Sequence, residues 1–223
     1  MKKKNILTAA LSLALVAVIA VGATLAYFTD KADEVVNTFT TGNIKIAVVD
    51  ETNPTEGQVG GVKDEDTGDI AYGTETPIMP GDVISKQVSV SVDANSQPAW
   101  VALKLTVSAA PKPDSILTDE EAQAKTAATV AAVNDMIEAA YNRTDWLKGT
   151  DGVYYYQTGT VATGATANHL FDTLTLVGSD WDNDQAGMTF RIAVEAYAVQ
   201  AANIDTFEAA KNQLDSLILE AQS

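Results

Sequence analysis

The sequence predicts a mainly β protein: an antiparallel β-sandwich with two helical insertions, one mid-chain and one C-terminal. Three observations predict it. Apolar and polar residues alternate at period two in several separate segments. Those segments are parted by turns, or by one long alanine-rich excursion that opens on a helix-capping signature. The composition, 46% hydrophobic and 20% charged over 223 residues, belongs to a folded chain rather than a disordered one.

The first 26 residues read as a secretory signal. Lys2, Lys3 and Lys4 form a positive start, and Ile6–Val21 is apolar apart from Thr8 and Ser12. Thr24 and Ala26 then place small residues at −3 and −1, so cleavage is expected between Ala26 and Tyr27. The alternative is a retained anchor, since residues 5–26 are just long enough to span a bilayer at about 1.5 Å per residue. Either way the bulk of the chain lies outside the cytoplasm, secreted to the cell surface or the extracellular matrix. Residues 27–36 read as a mobile N-terminal segment, and residues 37–223 as a single sandwich domain without repeats or a dividing linker.

Within that domain Asn37–Val49 reads as the first strand, because Ile44, Ile46 and Val48 alternate with Lys45 and Ala47. Residues 50–76, rich in Gly, Asp, Glu and Thr, read as a long acidic loop with only Val59, Val62, Ile70 and Tyr72 as larger apolar residues. Pro80-Gly81-Asp82 signals a turn. Val83–Val92 follows as a strand with Val88, Val90 and Val92 on one face. From Pro98 another strand sets Val101, Leu103, Leu105 and Val107 against Ala102, Lys104 and Thr106, and Pro111 and Pro113 end it. Such alternation fits sheets with one face in a core and one in water. Thr118 and Glu121 form a capping box for a helix running to about Tyr141, with Val130, Val133, Met136, Ile137 and Tyr141 as its apolar stripe. Gly149 and Gly152 bracket a turn before the aromatic strand Val153–Gln157. Leu170–Val177 and Met188–Gln200 complete the strands. Asp205 to Glu208 resembles a second capping box, opening a helix with the stripe Phe207, Leu214, Leu217, Ile218 and Ala221.

Charge and chemistry exclude more than they admit. After residue 26 the chain carries 11 bases against 30 acids, a net −19. So acidic a surface argues against nucleic acid and against anionic membranes, where cations must neutralise phosphates. The membrane is met only through the precursor's signal segment. Absence of cysteine excludes disulfides, thiolate metal sites and cysteine nucleophiles, and the single His169 excludes a two-histidine metal site. No serine has a histidine base at recognisable spacing and no glycine-rich phosphate loop precedes a helix, so no enzyme is expected. No sortase-type motif follows the last helix, so covalent wall attachment is not expected.

Two acidic clusters are weak calcium candidates. Asp64, Asp66 and Asp69 lie in one; Asp180, Asp182 and Asp184 lie in the other. The second begins like a calcium loop, with acids at alternate positions, but Gln185 stands where glycine belongs and Arg191 where the bidentate Glu belongs. A solvated turn that keeps an acidic chain soluble is the better reading of both clusters. No cofactor is required; calcium is the one ligand these clusters would suit. Trp146, Tyr155 and Trp181 form a weak glycan candidate, since flat rings stack on apolar sugar faces. Consecutive tyrosines alternate across a strand, so Tyr155 opposes Tyr154 and Tyr156 and part of this group is core.

Four stretches together carry a resemblance. They are Gly22-Ala-Thr-Leu-Ala-Tyr-Phe-Thr-Asp30; Asn37-Thr-Phe-Thr-Thr-Gly-Asn-Ile-Lys-Ile46; Trp146 with Asp151-Gly-Val-Tyr-Tyr-Tyr156, Gly164 and Leu170-Phe171; and Ala196-Tyr-Ala-Val-Gln-Ala201. In these the chain resembles the TasA/camelysin family of Gram-positive surface and biofilm-matrix proteins, over most of its length. The resemblance implies export through the signal peptidase SipW and a jelly-roll-like sandwich. It also implies a mature N-terminal segment, here roughly Tyr27–Thr38, that becomes a strand completing a neighbouring subunit. Tyr27, Phe28, Val35, Val36 and Phe39 are then the donor-strand candidates. Head-to-tail donation does not close and so makes filaments. The expected function is a TasA-like subunit of matrix fibres or a surface assembly, with itself, SipW and other matrix proteins as partners. The alternative is a monomeric surface-binding module for calcium or glycan. More distant is a secreted metallopeptidase, which the camelysin label suggests but which lacks a His-Glu-x-x-His pair.

Overall fold

The computed structural model describes residues 44–63, 70–72, 78–111, 116–176 and 188–222, all within one compact unit, Val35–Ser223. The elements run β1 (Ile46–Glu51), β2 (Gln58–Val59), β3 (Val62–Lys63), β4 (Ile70–Ala71), β5 (Val83–Val92), β6 (Ala99–Pro111), α1 (Asp119–Ala140), β7 (Trp146–Lys148), β8 (Val153–Tyr156), β9 (Phe171–Thr175), β10 (Met188–Gln200) and α2 (Phe207–Ala221). The fold is mainly β, with antiparallel sheets and two helices.

Two sheets face each other. The first is built around β5: β1 pairs with Gln87–Val92, β2 runs parallel beside Val83–Ile84, and β9 lies along the opposite edge. Backbone bonds from Val92 N to Ala165 O (2.8 Å), Ala167 N to Val90 O (2.9 Å) and Leu170 N to Val88 O (2.7 Å) continue that opposite edge beyond β9. The second sheet has the order β10-β6-β8-β7, with β6 and β10 matched over thirteen pairs from Ala99↔Gln200 to Pro111↔Met188. Period-two alternation turns Ile84, Val88, Val90 and Val92 of β5 toward Val101, Leu103 and Leu105 of β6 and Ile192, Val194 and Ala196 of β10. Leu103, Leu170, Leu174 and Leu176 are fully buried in this main core. Burial of each removes apolar area worth about 2–3 kcal/mol.

The second sheet departs from the one-wet-face expectation. Trp100, Ala102, Val153, Tyr155, Tyr197 and Val199 on its outer face pack under Ala210, Leu214 and Ile218 of α2 in a second core. The indole N–H of Trp100 donates to Ile204 O (3.1 Å), satisfying a buried donor at the edge of this core. Only the far half of the outer face, at Thr106, Ser108 and Ala110, is exposed.

Helix α1 starts as its sequence dictates. Thr118 accepts from Glu121 N, and the Glu121 carboxylate accepts from Thr118 N (2.9 Å). Its buried face is Thr129, Ala132, Val133, Met136 and Ile137, with Val130 and Tyr141 half-buried at the margin. Because β8 pairs only with Ala102–Lys104 of β6, α1 packs beside the rest of β6 and against β9, closing that flank of the sandwich.

Several expectations need correction. The first strand runs Ile46–Glu51, not to Val49, and its expected start at Asn37 lies outside the described residues. The acidic stretch contains three two-residue strands and two core residues, Ile70 and Tyr72. The N-cap of α2 is Thr206, which accepts from Ala209 N (3.3 Å), rather than Asp205; with alanine at the third helical position no reciprocal carboxylate forms. In the α2 stripe Ala210 is buried and Ala221 exposed. Strand β7 was not expected. It is held to β8 by a tight hairpin in which Asp151 (φ 52°) and Gly152 (φ 76°) adopt positive φ. Gly152 is required there, since a Cβ would collide with Leu105 O.

Candidate functional site

The flank opposite α1 is bordered by β1 and β10, which pack near one another. Asp93 N donates to Lys45 O (2.9 Å), so odd-numbered residues of β1 turn their backbone groups toward β5. By the alternation of an antiparallel ladder, Ile46, Val48 and Asp50 turn theirs outward. No described strand pairs with that outer edge, nor with the outer edge of β10. The side chains of Ile44, Ile46 and Val48 pack against the main core and are half-buried.

One end of this flank is occupied. Ile70 and Tyr72 enter the core there, and the Tyr72 ring stacks on Phe190 (6.3 Å, 9°). Its hydroxyl donates to Ser85 O (2.9 Å). Gly61 permits the approach: a Cβ there would collide with Ile70 and the Tyr72 ring. Lys63 Nζ donates to Asp50 O (3.3 Å), covering the last outward carbonyl of the edge with a cation. Beneath lies a buried ion pair. Lys86 is in phase with Val88 and Val90, faces inward, and is 1% exposed; its ammonium meets both Asp50 oxygens at 2.7 and 2.8 Å. Burial, then the Asp50 charge, pushes the Tyr72 phenol well above its ordinary range. The inner face thus changes along β1 from apolar at Ile46 and Val48 to charged at Asp50.

The expected site residues fare unequally. Ala26 and Tyr27 of the cleavage site, the donor candidates Tyr27, Phe28, Val35, Val36 and Phe39, the calcium candidates Asp64, Asp66, Asp69, Asp180, Asp182 and Asp184, and Trp181 all lie outside the described residues. The glycan expectation is corrected for the two rings that are described. Trp146 is 1% exposed, donates to Asn168 O (3.0 Å) and packs edge-on to Tyr156. Tyr155 is 2% exposed on the opposite face, donating to Asp215 beneath Lys211. Neither offers a face to a sugar. His169 is half-exposed, with Nδ1 2.6 Å from Asp172, and among the described residues no cluster of three His, Asp or Glu is placed to hold a metal.

Two constellations escaped the sequence reading. Asp50–Lys86 was legible in principle, since Lys86 falls in the apolar phase of a strand. Tyr155–Asp215–Lys211, which ties α2 to β8, joins residues 60 apart and left no sequence signal. Burial alone would raise the Asp215 carboxyl, but Lys211 at 2.9 Å and the Tyr155 hydroxyl outweigh it and hold it below the usual range.

No described helix is long and apolar enough to cross a membrane. Compared with protein-family models, with curated proteins and with solved structures, the chain matches none.

Proposed function

We propose that the chain is an exported, non-catalytic structural subunit of an extracellular matrix fibre or cell-surface assembly, joining copies of itself by strand addition on a jelly-roll-like sandwich. The observation that carries this reading is the β1–β10 flank. Among the described residues the outward backbone groups of Ile46 and Val48 have no partner strand, beside core side chains only half-buried. An extended peptide added there gains hydrogen bonds and apolar burial together. The export signal, the acidic balance and the resemblance in the N-terminal motifs support the same reading. The jelly-roll form is supported by the way the chain changes sheets between β5 and β6, β8 and β9, and β9 and β10.

The test is negative-stain electron microscopy of Tyr27–Ser223 beside Asn37–Ser223. Filaments are expected from the first and monomers from the second. Monomers from both would overturn autonomous assembly and move the calcium-binding module ahead, to be checked by melting with and without added calcium.

A further inference from the structure

We propose that Asp50 and Lys86 condense in the folded chain into an amide, a side-chain cross-link between β1 and β5. The inference concerns the core of the domain and holds whether or not copies assemble.

Lysine is out of place at position 86. The residues in phase with it, Ile84, Val88 and Val90, are fully buried apolar side chains of β5, and Lys86 is 1% exposed among them. A lone ammonium there would carry a large desolvation cost, and an ion pair recovers it only in part. An amide removes both charges and keeps one donor and one acceptor. The cost of holding the charged pair is therefore a driving force for condensation.

The geometry is that of two reacting groups. Asp50 stands opposite Val88 in the β1–β5 register, so Lys86 lies one step along the same inner face, diagonal to it. The ladder holds both backbones in place. Nζ meets the Asp50 oxygens at 2.7 Å (Oδ1) and 2.8 Å (Oδ2). Contact with both oxygens sets it about 3 Å from the Cγ carbon between them, a near-attack separation. The Tyr72 ring, itself 3% exposed, lies 6.0 Å from Nζ and shields the amine on that side. The carboxylate is 17% exposed, so a released water has a way out.

The step balances within the pair. The ammonium passes one proton to the carboxylate, which leaves a neutral amine as nucleophile beside a carboxylic acid. The Nζ lone pair attacks Cγ, the Nζ–Cγ bond forms, and the bond from Cγ to its hydroxyl breaks. A second proton from Nζ leaves with that oxygen as water. Nothing is oxidised or reduced, and no co-reactant enters. The product ties residues 36 positions apart in a chain with no cysteine, holding β1 to β5 as a disulfide would. Amide formation without an activated acyl group is slow beside folding. Freshly folded chain therefore holds the ion pair, and aged chain the amide.

The test is the intact mass of Tyr27–Ser223, refolded from guanidinium chloride and sampled over days, followed by tryptic mapping. The expected result is a species one water lighter than the sequence mass. It should accumulate in the folded chain and be absent from chain kept in guanidinium chloride and from Lys86→Arg. Its digest should contain a branched peptide that joins the Asp50 and Lys86 segments and is uncut after Lys86. Full sequence mass throughout, with the two segments separate, would overturn the proposal and leave a plain ion pair. A water deficit that maps to Asp151-Gly152, where an aspartyl-glycine step closes a cyclic imide on its own backbone, would overturn it too. The parent digest decides the question even where Lys86→Arg does not fold.

Discussion

On one flank of the sandwich α1 presses Ala132, Val133, Met136 and Ile137 into the core until each is at most 5% exposed. On the other, Ile46 and Val48 belong to the same core and stay half-buried. Both flanks are bordered by strands of the same two sheets. The closed one is sealed by a continuous helix with its own cap, a local structure that forms from its own sequence and then packs. Among the described residues the other ends in backbone groups and an ion pair.

The sharpest break of this contrast is a charge on the sealed side. Val133→Asp places a carboxylate where no partner or water reaches it, a cost above about 4 kcal/mol and enough to unfold a marginal domain. The same aspartate at exposed Ala47, on β1, should cost under about 0.5 kcal/mol. Urea titrations followed by circular dichroism read both, and equal costs would erase the distinction between the flanks.

Next in size is the ion pair at the end of the open flank. Lys86→Met strands the Asp50 carboxylate, with an expected loss of about 3–5 kcal/mol, and adding Asp50→Leu should recover most of it. A double-mutant cycle in urea measures this. If the single variant costs nothing, the pair is not holding β1 to β5.

The smallest effect is a pH dependence on the sealed side. Hydrogen bonding from Lys148 holds the Glu138 carboxyl below its ordinary range, against a weaker opposing effect of burial, with Arg143 adding to the lowering. The unfolded chain therefore takes up this proton first as pH falls. Glu138's contribution is complete above the ordinary carboxylate range near about 4.3 and is lost as pH drops through the lowered value. The group is 39% exposed, so screening keeps the effect below about 1 kcal/mol. Melts of the parent and Glu138→Gln should differ near neutral pH and converge in acid; a difference that grows in acid would reverse the assignment.

Much of the architecture was legible because it is periodic or capped. β5, β6 and β10 announce themselves by alternation over ten to thirteen residues, and α1 by Thr118 and Glu121. β2, β3 and β4 were not legible, because two residues carry no period. β7 was missed for nearly the same reason, at three residues. The glycan reading of Trp146 and Tyr155 failed because composition marks aromatic residues without saying which are wrapped on both faces. The ion pair was missed because a lysine in a strand reads as solvent-facing until its phase is counted.

By itself the sequence determined the mainly β character, the two helices with their sites in the chain, and the acidity of its surface. These follow from local propensity, periodicity and charge, which act over a few residues or over the whole chain at once. Only the tertiary structure decided that α2 buries the second face of a sheet, that Asp50 and Lys86 meet, and that β1 and β10 border one flank while α1 closes the other. Such facts depend on contacts between residues dozens to more than a hundred positions apart, which no local pattern records.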